Sequence, residues 1–432
     1  MKHIGTTLLG AALLALTAPA AAQTAPLTAA QSDPAVLGWM QGSPPPRDKQ
    51  VRFDDASMWA FPQTRWTFSN WRELLPTTSI KRGAMPVAVL PRAERADLDA
   101  IRFTPLGAAA PMSWEQSLAA TYTDGIVVLH KGRIVYERYF GALKPEGQHI
   151  AFSVTKSFVG TLAEALIAEG RLDPNRTMAS YVPELAGSGF GDATVRQVMD
   201  MRTGLAFDES YGGADGDVAR MSFAANALPL PAGYKGPLGL YAHLQTIGKN
   251  GAHGADFSYR TPNSGALGWV TERITGQSIA QQIEARYWSR MGMEQDASIN
   301  VDRMGTGFAG GGMALALRDM ARFGEMLRLG GRWQGQEIVS PAAVAAIFTP
   351  GDVAAFAPTN YPGLKGGSYA SQWWHRPNGV TMAVGIHGQG IYIDRQAEVV
   401  IARFASFPVA SNVNINPVTI PAYDAMVAKL AE

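Results

Sequence analysis

The chain has 432 residues, 47% hydrophobic and 17% charged, with a formal net charge of +1 and no cysteine. That length provides one large domain or two lobes with a substantial core. A near-neutral charge argues against nucleic acid or an anionic membrane surface as partner. The missing thiols exclude disulfides, thiolate metal sites and a cysteine nucleophile.

Taken in order, the chain opens with Lys2 and His3 ahead of an apolar run at 8–16, and Ala20-Ala21-Ala22 then offers a small-residue cleavage site. The run is too short to span a bilayer. Residues 1–22 therefore read as a removed signal segment, with the mature protein periplasmic or secreted. No other apolar run is long enough to be an integral membrane segment. Residues 23–45 are rich in Ala, Pro, Ser and Thr and read as a linker, which Pro44-Pro45-Pro46 stiffens. Between 51 and 83, Trp59, Phe61, Trp66, Phe68 and Trp71 interleave with Arg65, Arg72 and Arg82. At this net charge the expectation is a segment packed on the body, so 23–100 form a linker and N-terminal extension.

Ile126-Val127-Val128-Leu129-His130 and Ile134-Val135-Tyr136-Glu137-Arg138-Tyr139 flank a three-residue link containing Gly132, which is a hairpin signal. A helix is predicted next, from the spacing of Phe158, Leu162, Ala165 and Leu166 with Gly170 as its stop. Residues 171–300 lack long alternating runs and read as helices, at 194–201 and 279–291 among others, with a glycine-rich stretch at 212–254. Gly305-Thr306-Gly307-Phe308-Ala309-Gly310 fits G-x-G-x-x-G ahead of a helix expected at 313–329. No parallel strand follows, so a loop beside a pocket is expected rather than a dinucleotide site. Three strands close the chain: Met382-Ala383-Val384-Gly385-Ile386, Ile391-Tyr392-Ile393 and Val399-Val400-Ile401-Ala402-Arg403-Phe404. Strands at both ends around a helical middle predict an α+β fold. Its antiparallel sheet, built from both chain ends, would occupy about 101–150 and 300–432, with a mostly helical lobe inserted at 151–299.

The chemistry centres on Phe152-Ser153-Val154-Thr155-Lys156. Positions i and i+3 share a helix face, so Ser153 and Lys156 come within hydrogen-bonding reach. Ser153 would sit in the first turn, where free N–H groups and the dipole favour an oxyanion. A serine hydroxyl needs a base, and lysine serves once burial lowers its pKa. A Ser-x-x-Lys pair arises about once by chance in a chain this long, but of the ten lysines only Lys156 has serine three residues before it. Tyr259, in Phe257-Ser258-Tyr259-Arg260-Thr261-Pro262-Asn263, lies on a loop before a helix. A tyrosine near an ammonium group can ionise or shuttle protons. Glycines in Gly385-Ile386-His387-Gly388-Gln389-Gly390 let backbone approach a ligand, so an N–H there can complete an oxyanion hole with the Ser153 N–H. The seven histidines show no metal-ligand spacing, so neither metal nor cofactor is expected.

In this order and spacing, the motifs resemble the serine hydrolases of the class C β-lactamase and penicillin-binding-protein superfamily. Within it the chain is most similar to the 6-aminohexanoate-dimer hydrolases and their carboxylesterase relatives. Met40-Gln41-Gly42, Thr64-Arg65-Trp66, Leu267-Gly268-Trp269-Val270-Thr271-Glu272-Arg273, Gly310-Gly311-Gly312-Met313 and Gly388-Gln389-Gly390-Ile391-Tyr392-Ile393-Asp394 carry the resemblance over most of the mature chain. It implies a small-molecule amide or ester substrate, Ser153 as acylated nucleophile, Lys156 as base and Tyr259 as proton relay. Where β-lactamases carry Lys-Thr-Gly, the chain is read here as Ile386-His387-Gly388, which makes the Gln389 N–H the second oxyanion donor. The missing lysine implies weak or absent antibiotic hydrolysis. The usual Tyr-x-Asn has Thr261 at its third position, with Asn263 two residues further on. Tyr211 falls where the dimer hydrolases have a loop tyrosine that closes on substrate. His387, Gly388 and Trp374 are further expected substrate contacts, and a homodimer is a further expectation. The alternatives are a D-alanyl peptidase or β-lactamase, and a cell-wall ligand-binding protein that keeps the fold without turnover.

Overall fold

The computed structural model describes residues 26–211 and 213–432; the signal segment expected at 1–22 lies outside the described residues. Seven antiparallel strands form the main sheet. Strands β1 (Thr123–His130) and β2 (Arg133–Tyr139) make the first hairpin. The other five are β3 (Ser368–Ala370), β4 (Trp373–His375), β5 (Thr381–Gly385), β6 (Gln389–Asp394) and β7 (Val399–Ala405). Their order is β3-β4-β5-β6-β7-β1-β2, so two distant parts of the chain close one sheet. His130 pairs with Arg133, and the link is the two residues Lys131 and Gly132, at φ 52° and 75°. Positive φ at both central residues gives the turn a twist that matches its strands.

Both faces of this sheet are covered. Along β1, Ile126 and Val128 join one cluster with Trp114, Tyr392 and Ile401, while Val127 and Leu129 join another with Phe323, Ile391 and Val400. That alternation is the two-residue period of a strand. Five helices matter for the site: α1 (Val154–Ala168), α2 (Asp217–Ala224), α3 (Pro262–Thr275), α4 (Leu317–Arg328) and α5 (Asn416–Leu430). Met320, Phe323 and Leu327 of α4 pack on one face of the sheet, and Met426 and Leu430 of α5 on the other.

A smaller sheet orders Thr77–Ile80, Ala297–Asn300, Met313–Ala316 and Gln148–Ile150. Here the sequence reading is corrected. The helix expected from 313 begins only at Leu317, because Met313–Ala316 pairs with strands on both sides. Met, Ala and Leu favour helix, but their propensity is a weak prior that strand pairing overrides.

The extension is fixed to the body by a buried ion pair. Arg65, 2% exposed, donates to Asp124 (2.5 Å), Ser406 Oγ (2.9 Å) and the Tyr122 carbonyl (3.2 Å). Ser406 Oγ and His149 Nε2 complete the Asp124 carboxylate at 2.6 and 3.2 Å. Among the described residues no helix is long and apolar enough to cross a membrane.

Candidate active site

Ser153 sits at the turn from the small sheet into α1. Phe152 just before it has φ 44°, a left-handed conformation unusual for a bulky residue. Its ring is held among Trp59, Phe68, Trp71 and His387. Helix α1 lies close to the β3–β4 turn because residue 160 is glycine: a Cβ there would fall 2.1 Å from the Ser371 carbonyl oxygen. Ser157 Oγ ties the same turn, donating to the Gln372 carbonyl at 2.8 Å.

One helical turn on, Lys156 is 1% exposed, and its Nζ donates to Ser153 Oγ at 2.9 Å and to the Gly310 carbonyl. The expected loop beside a pocket thus supplies a buried acceptor to the lysine. Burial pulls the Lys156 pKa from 10.5 down to about 8, and the Glu209 charge opposes that fall. Near neutral pH an appreciable fraction of this lysine is unprotonated.

The Tyr259 ring lies over Lys156 Nζ, 5.2 Å from ring centroid to nitrogen, and stacks on Trp374 at 5.5 Å. Burial, with the Glu209 charge added, drives its pKa well above 10, against the pull of the Ser153 hydroxyl. The phenol is therefore neutral, and of its two chemical options only proton shuttling is open near neutral pH.

A cleft opens at Ser153 in two arms. One, of about 710 Å³, is walled by Glu209, Tyr259, Tyr361, Trp374 and Asn412. The other, of about 410 Å³, is walled by Trp59, Trp71, Phe152, Met221 and Phe308. Tyr211, Ile386 and His387 line both. The Tyr211 hydroxyl donates to Glu209 Oε1 at 2.8 Å, and His387 Nδ1 meets the Phe407 carbonyl at 2.6 Å. Burial pushes the His387 pKa down to about 4, so this ring is neutral at pH 7.

Three expected contacts lie off the cleft. Asn263 is fully buried, accepting from Thr203 Oγ1 at 2.9 Å and donating to Met201 Sδ at 3.2 Å. It is the second residue of α3, and the helix start carries it into the core. The Gly388 carbonyl accepts from Arg403 Nη1 at 2.7 Å, and Gly388 lines neither arm. Gln389 is 2% exposed; its amide donates to Ala405 O (2.7 Å) and Ile386 O (3.1 Å), and its Oε1 accepts from the Ala405 N–H (3.0 Å). The residue just after β5 that lines both arms together with Ser153 is Ile386. Gly385 allows that placement, since a Cβ on it would sit 2.6 Å from the Ala151 carbonyl oxygen. Among the described residues, neither the Ser153 N–H nor the Ile386 N–H donates a hydrogen bond.

Sequence reasoning missed Glu209, which accepts from the Thr261 N–H (2.7 Å), Thr261 Oγ1 and the Tyr211 hydroxyl. Its only signal was membership of the loop already singled out for Tyr211. The extension was read as packing, yet Trp59 and Trp71 wall the cleft.

A family model described as Beta-lactamase matches residues 113–416. The chain is 34% identical over 350 residues to a 6-aminohexanoate-dimer hydrolase of Paenarthrobacter ureafaciens, covering 80% of this chain and 86% of that one. A solved structure described as "Putative 6-aminohexanoate-dimer hydrolase from Bacillus anthracis" is 30% identical with a TM-score of 0.81, covering 90% of this chain and 99% of that one. A D-stereospecific amidohydrolase from Streptomyces sp., 19% identical with a TM-score of 0.51 over 68% and 92% of the two chains, shares the fold.

Proposed function

The chain belongs to the beta-lactamase family, and from that premise we propose that it is a serine hydrolase cleaving an amide or ester through a Ser153 acyl-enzyme, of the 6-aminohexanoate-dimer hydrolase and carboxylesterase type. The observation that carries this reading is the 2.9 Å bond from Lys156 Nζ to Ser153 Oγ, made by a lysine whose pKa has fallen to about 8.

Ser153 Oγ attacks the carbonyl carbon as Lys156 Nζ takes its proton. The oxyanion settles on the N–H groups of Ser153 and Ile386, each such donor contributing about 3 kcal/mol. Ile386 takes the place expected of Gln389: the glycine required at the close approach is Gly385, three residues before Gly388. The counterpart of Lys-Thr-Gly is then Ala383-Val384-Gly385, which again lacks the lysine that would meet a β-lactam carboxylate. Tyr259 passes its proton to the leaving amine or alkoxide and is re-protonated from Lys156. Water then enters and gives up a proton to the same pair, its oxygen bonds the acyl carbon, and the acid leaves as that proton returns to Ser153 Oγ.

We also infer export, from the charged start, apolar run and small-residue site at 2–22. Sequencing the N-terminus of protein recovered outside the cytoplasm tests that inference; an intact Met1 there would contradict it. For the catalytic reading, Ser153→Ala is expected to lower hydrolysis of a short-chain p-nitrophenyl ester at least 10³-fold. Near-normal hydrolysis would remove Ser153 from the mechanism.

A further inference from the structure

The two arms of the cleft differ in chemistry, and the difference divides the substrate. In the proposed reaction the leaving group takes its proton from Tyr259, and Tyr259 walls the 710 Å³ arm but not the 410 Å³ arm. The leaving group therefore occupies the larger arm and the acyl chain the smaller.

Among the described residues, none lining the smaller arm is Asp, Glu, Lys or Arg. Most of its polar groups are bonded to the protein, while Trp71 Nε1 and Asn300 Oδ1, both buried, have no partner among the described residues. Trp59 Nε1 donates to the Ala227 carbonyl at 2.9 Å and Ser222 Oγ to the Val218 carbonyl at 2.8 Å. Thr261 Oγ1 and the Tyr211 hydroxyl both turn to Glu209. Of the charged residues near the arm, Asp217 accepts from Arg220 and the Asp208 N–H, Arg303 Nη1 donates to the Phe223 carbonyl, and Glu209 is held by Thr261 and Tyr211. The imidazole of His387 is neutral at pH 7. An ammonium or carboxylate brought into this arm would lose water and find no counter-ion. Each methylene buried there instead favours binding about fourfold.

We propose that the smaller arm is a specificity pocket for an uncharged, apolar acyl chain. The enzyme then acts on neutral medium-chain or aromatic acyl esters and amides, and discriminates against acyl groups ending in an ammonium or a carboxylate. The proposal rests on the serine-hydrolase reading above and, because the acyl half of a 6-aminohexanoate dimer ends in an ammonium, it favours the carboxylesterase side of that reading.

The test is kcat/KM on p-nitrophenyl esters that share one leaving group: acetate, hexanoate, octanoate, 6-aminohexanoate and monoadipate, each corrected for spontaneous release. Hexanoate is expected to exceed acetate at least tenfold, and to exceed both charged six-carbon esters about 100-fold. Val218→Asp, which puts a carboxylate on the half-buried face of α2, is expected to raise the 6-aminohexanoate to hexanoate ratio at least tenfold. Met221→Trp, which fills the arm, is expected to flatten the dependence on chain length. A wild-type enzyme that takes 6-aminohexanoate as well as hexanoate, through ammonium stacking on Trp59 or Trp71, would overturn the proposal. So would equal rates on acetate and hexanoate. Ser153→Ala separates the two levels: ester hydrolysis that survives it defeats the catalytic reading, whereas Ser153-dependent hydrolysis without charge discrimination defeats only the pocket.

Discussion

Lys156 and Arg65 are both cations at 1–2% exposure, and their surroundings are opposite. Arg65 faces a full carboxylate: burial works to raise the Asp124 pKa, but the guanidinium and the His149 contact hold it below the usual value. Among the described residues Lys156 hydrogen-bonds to a hydroxyl and a carbonyl and lies under the Tyr259 ring, with no carboxylate bonded to it, and its pKa falls accordingly. One buried charge is satisfied and joins the extension to the sheet. The other is under-satisfied, and that deficit is what suits it to the proposed role of base. Burial alone does not tell a clamp from a catalyst; the partner does.

The sharpest way to break the comparison is to remove each cation in turn. Lys156→Met should lower kcat/KM at least 10³-fold, as loss of a base acting with its nucleophile does. Its stability at pH 7 should hold or rise, because the fall in pKa from 10.5 to about 8 marks roughly 3 kcal/mol of cost in keeping the charge buried. Arg65→Met strands the Asp124 carboxylate and should lower stability by about 3–5 kcal/mol. Urea unfolding of both variants checks the pair. If both lose stability alike, the distinction fails.

The same contrast predicts a pH dependence. A lysine acting as base must be neutral, so kcat/KM should rise with pH through about 8 and level off above it. For stability the unfolded lysine binds the extra proton between about 8 and 10.5, so the wild type gains stability as pH rises through that window. Any advantage of Lys156→Met should shrink over the same range. Tyr259→Phe, which removes the relay but leaves the base, should cost about 10²–10⁴ in kcat. A kcat/KM that is flat from pH 6 to 10 would count against Lys156 as the base.

The parts legible in the sequence were those with local period or spacing. Ser153 and Lys156 announce themselves because one helical turn brings them together, and β1, β2 and β5–β7 because they are short runs of β-branched, aliphatic and aromatic residues set off by turn residues. Strands β3 and β4 have three residues each, too few for a period. Asn263 read as a ligand because it follows Tyr259 closely in sequence, yet the first turn of α3 directs it inward. Glu209 and the tryptophans of the extension reach the cleft through long-range packing, which local pattern does not record.

The edge of the cleft gives the finer test. The motif glycine was expected at 388 and the donor at Gln389; the close approach of Gly385 to the Ala151 carbonyl oxygen is the reason for proposing 385 and 386 instead. Gly385→Ala adds a Cβ 2.6 Å from the Ala151 carbonyl oxygen and forces the edge away from Ser153. A displacement of about 1 Å is worth roughly 10² in kcat, and that loss is expected with KM little changed. Gln389→Ala removes three hydrogen bonds that join the start of β6 to β7 and to Ile386. Each contributes about 1 kcal/mol, so this variant should lose stability by a few kcal/mol while kcat at 25 °C falls no more than a few-fold. Alanine keeps the backbone N–H, so a 10²-fold loss of kcat in Gln389→Ala, at a temperature where the variant is fully folded, would show instead that these side-chain hydrogen bonds hold Ile386 in its catalytic position.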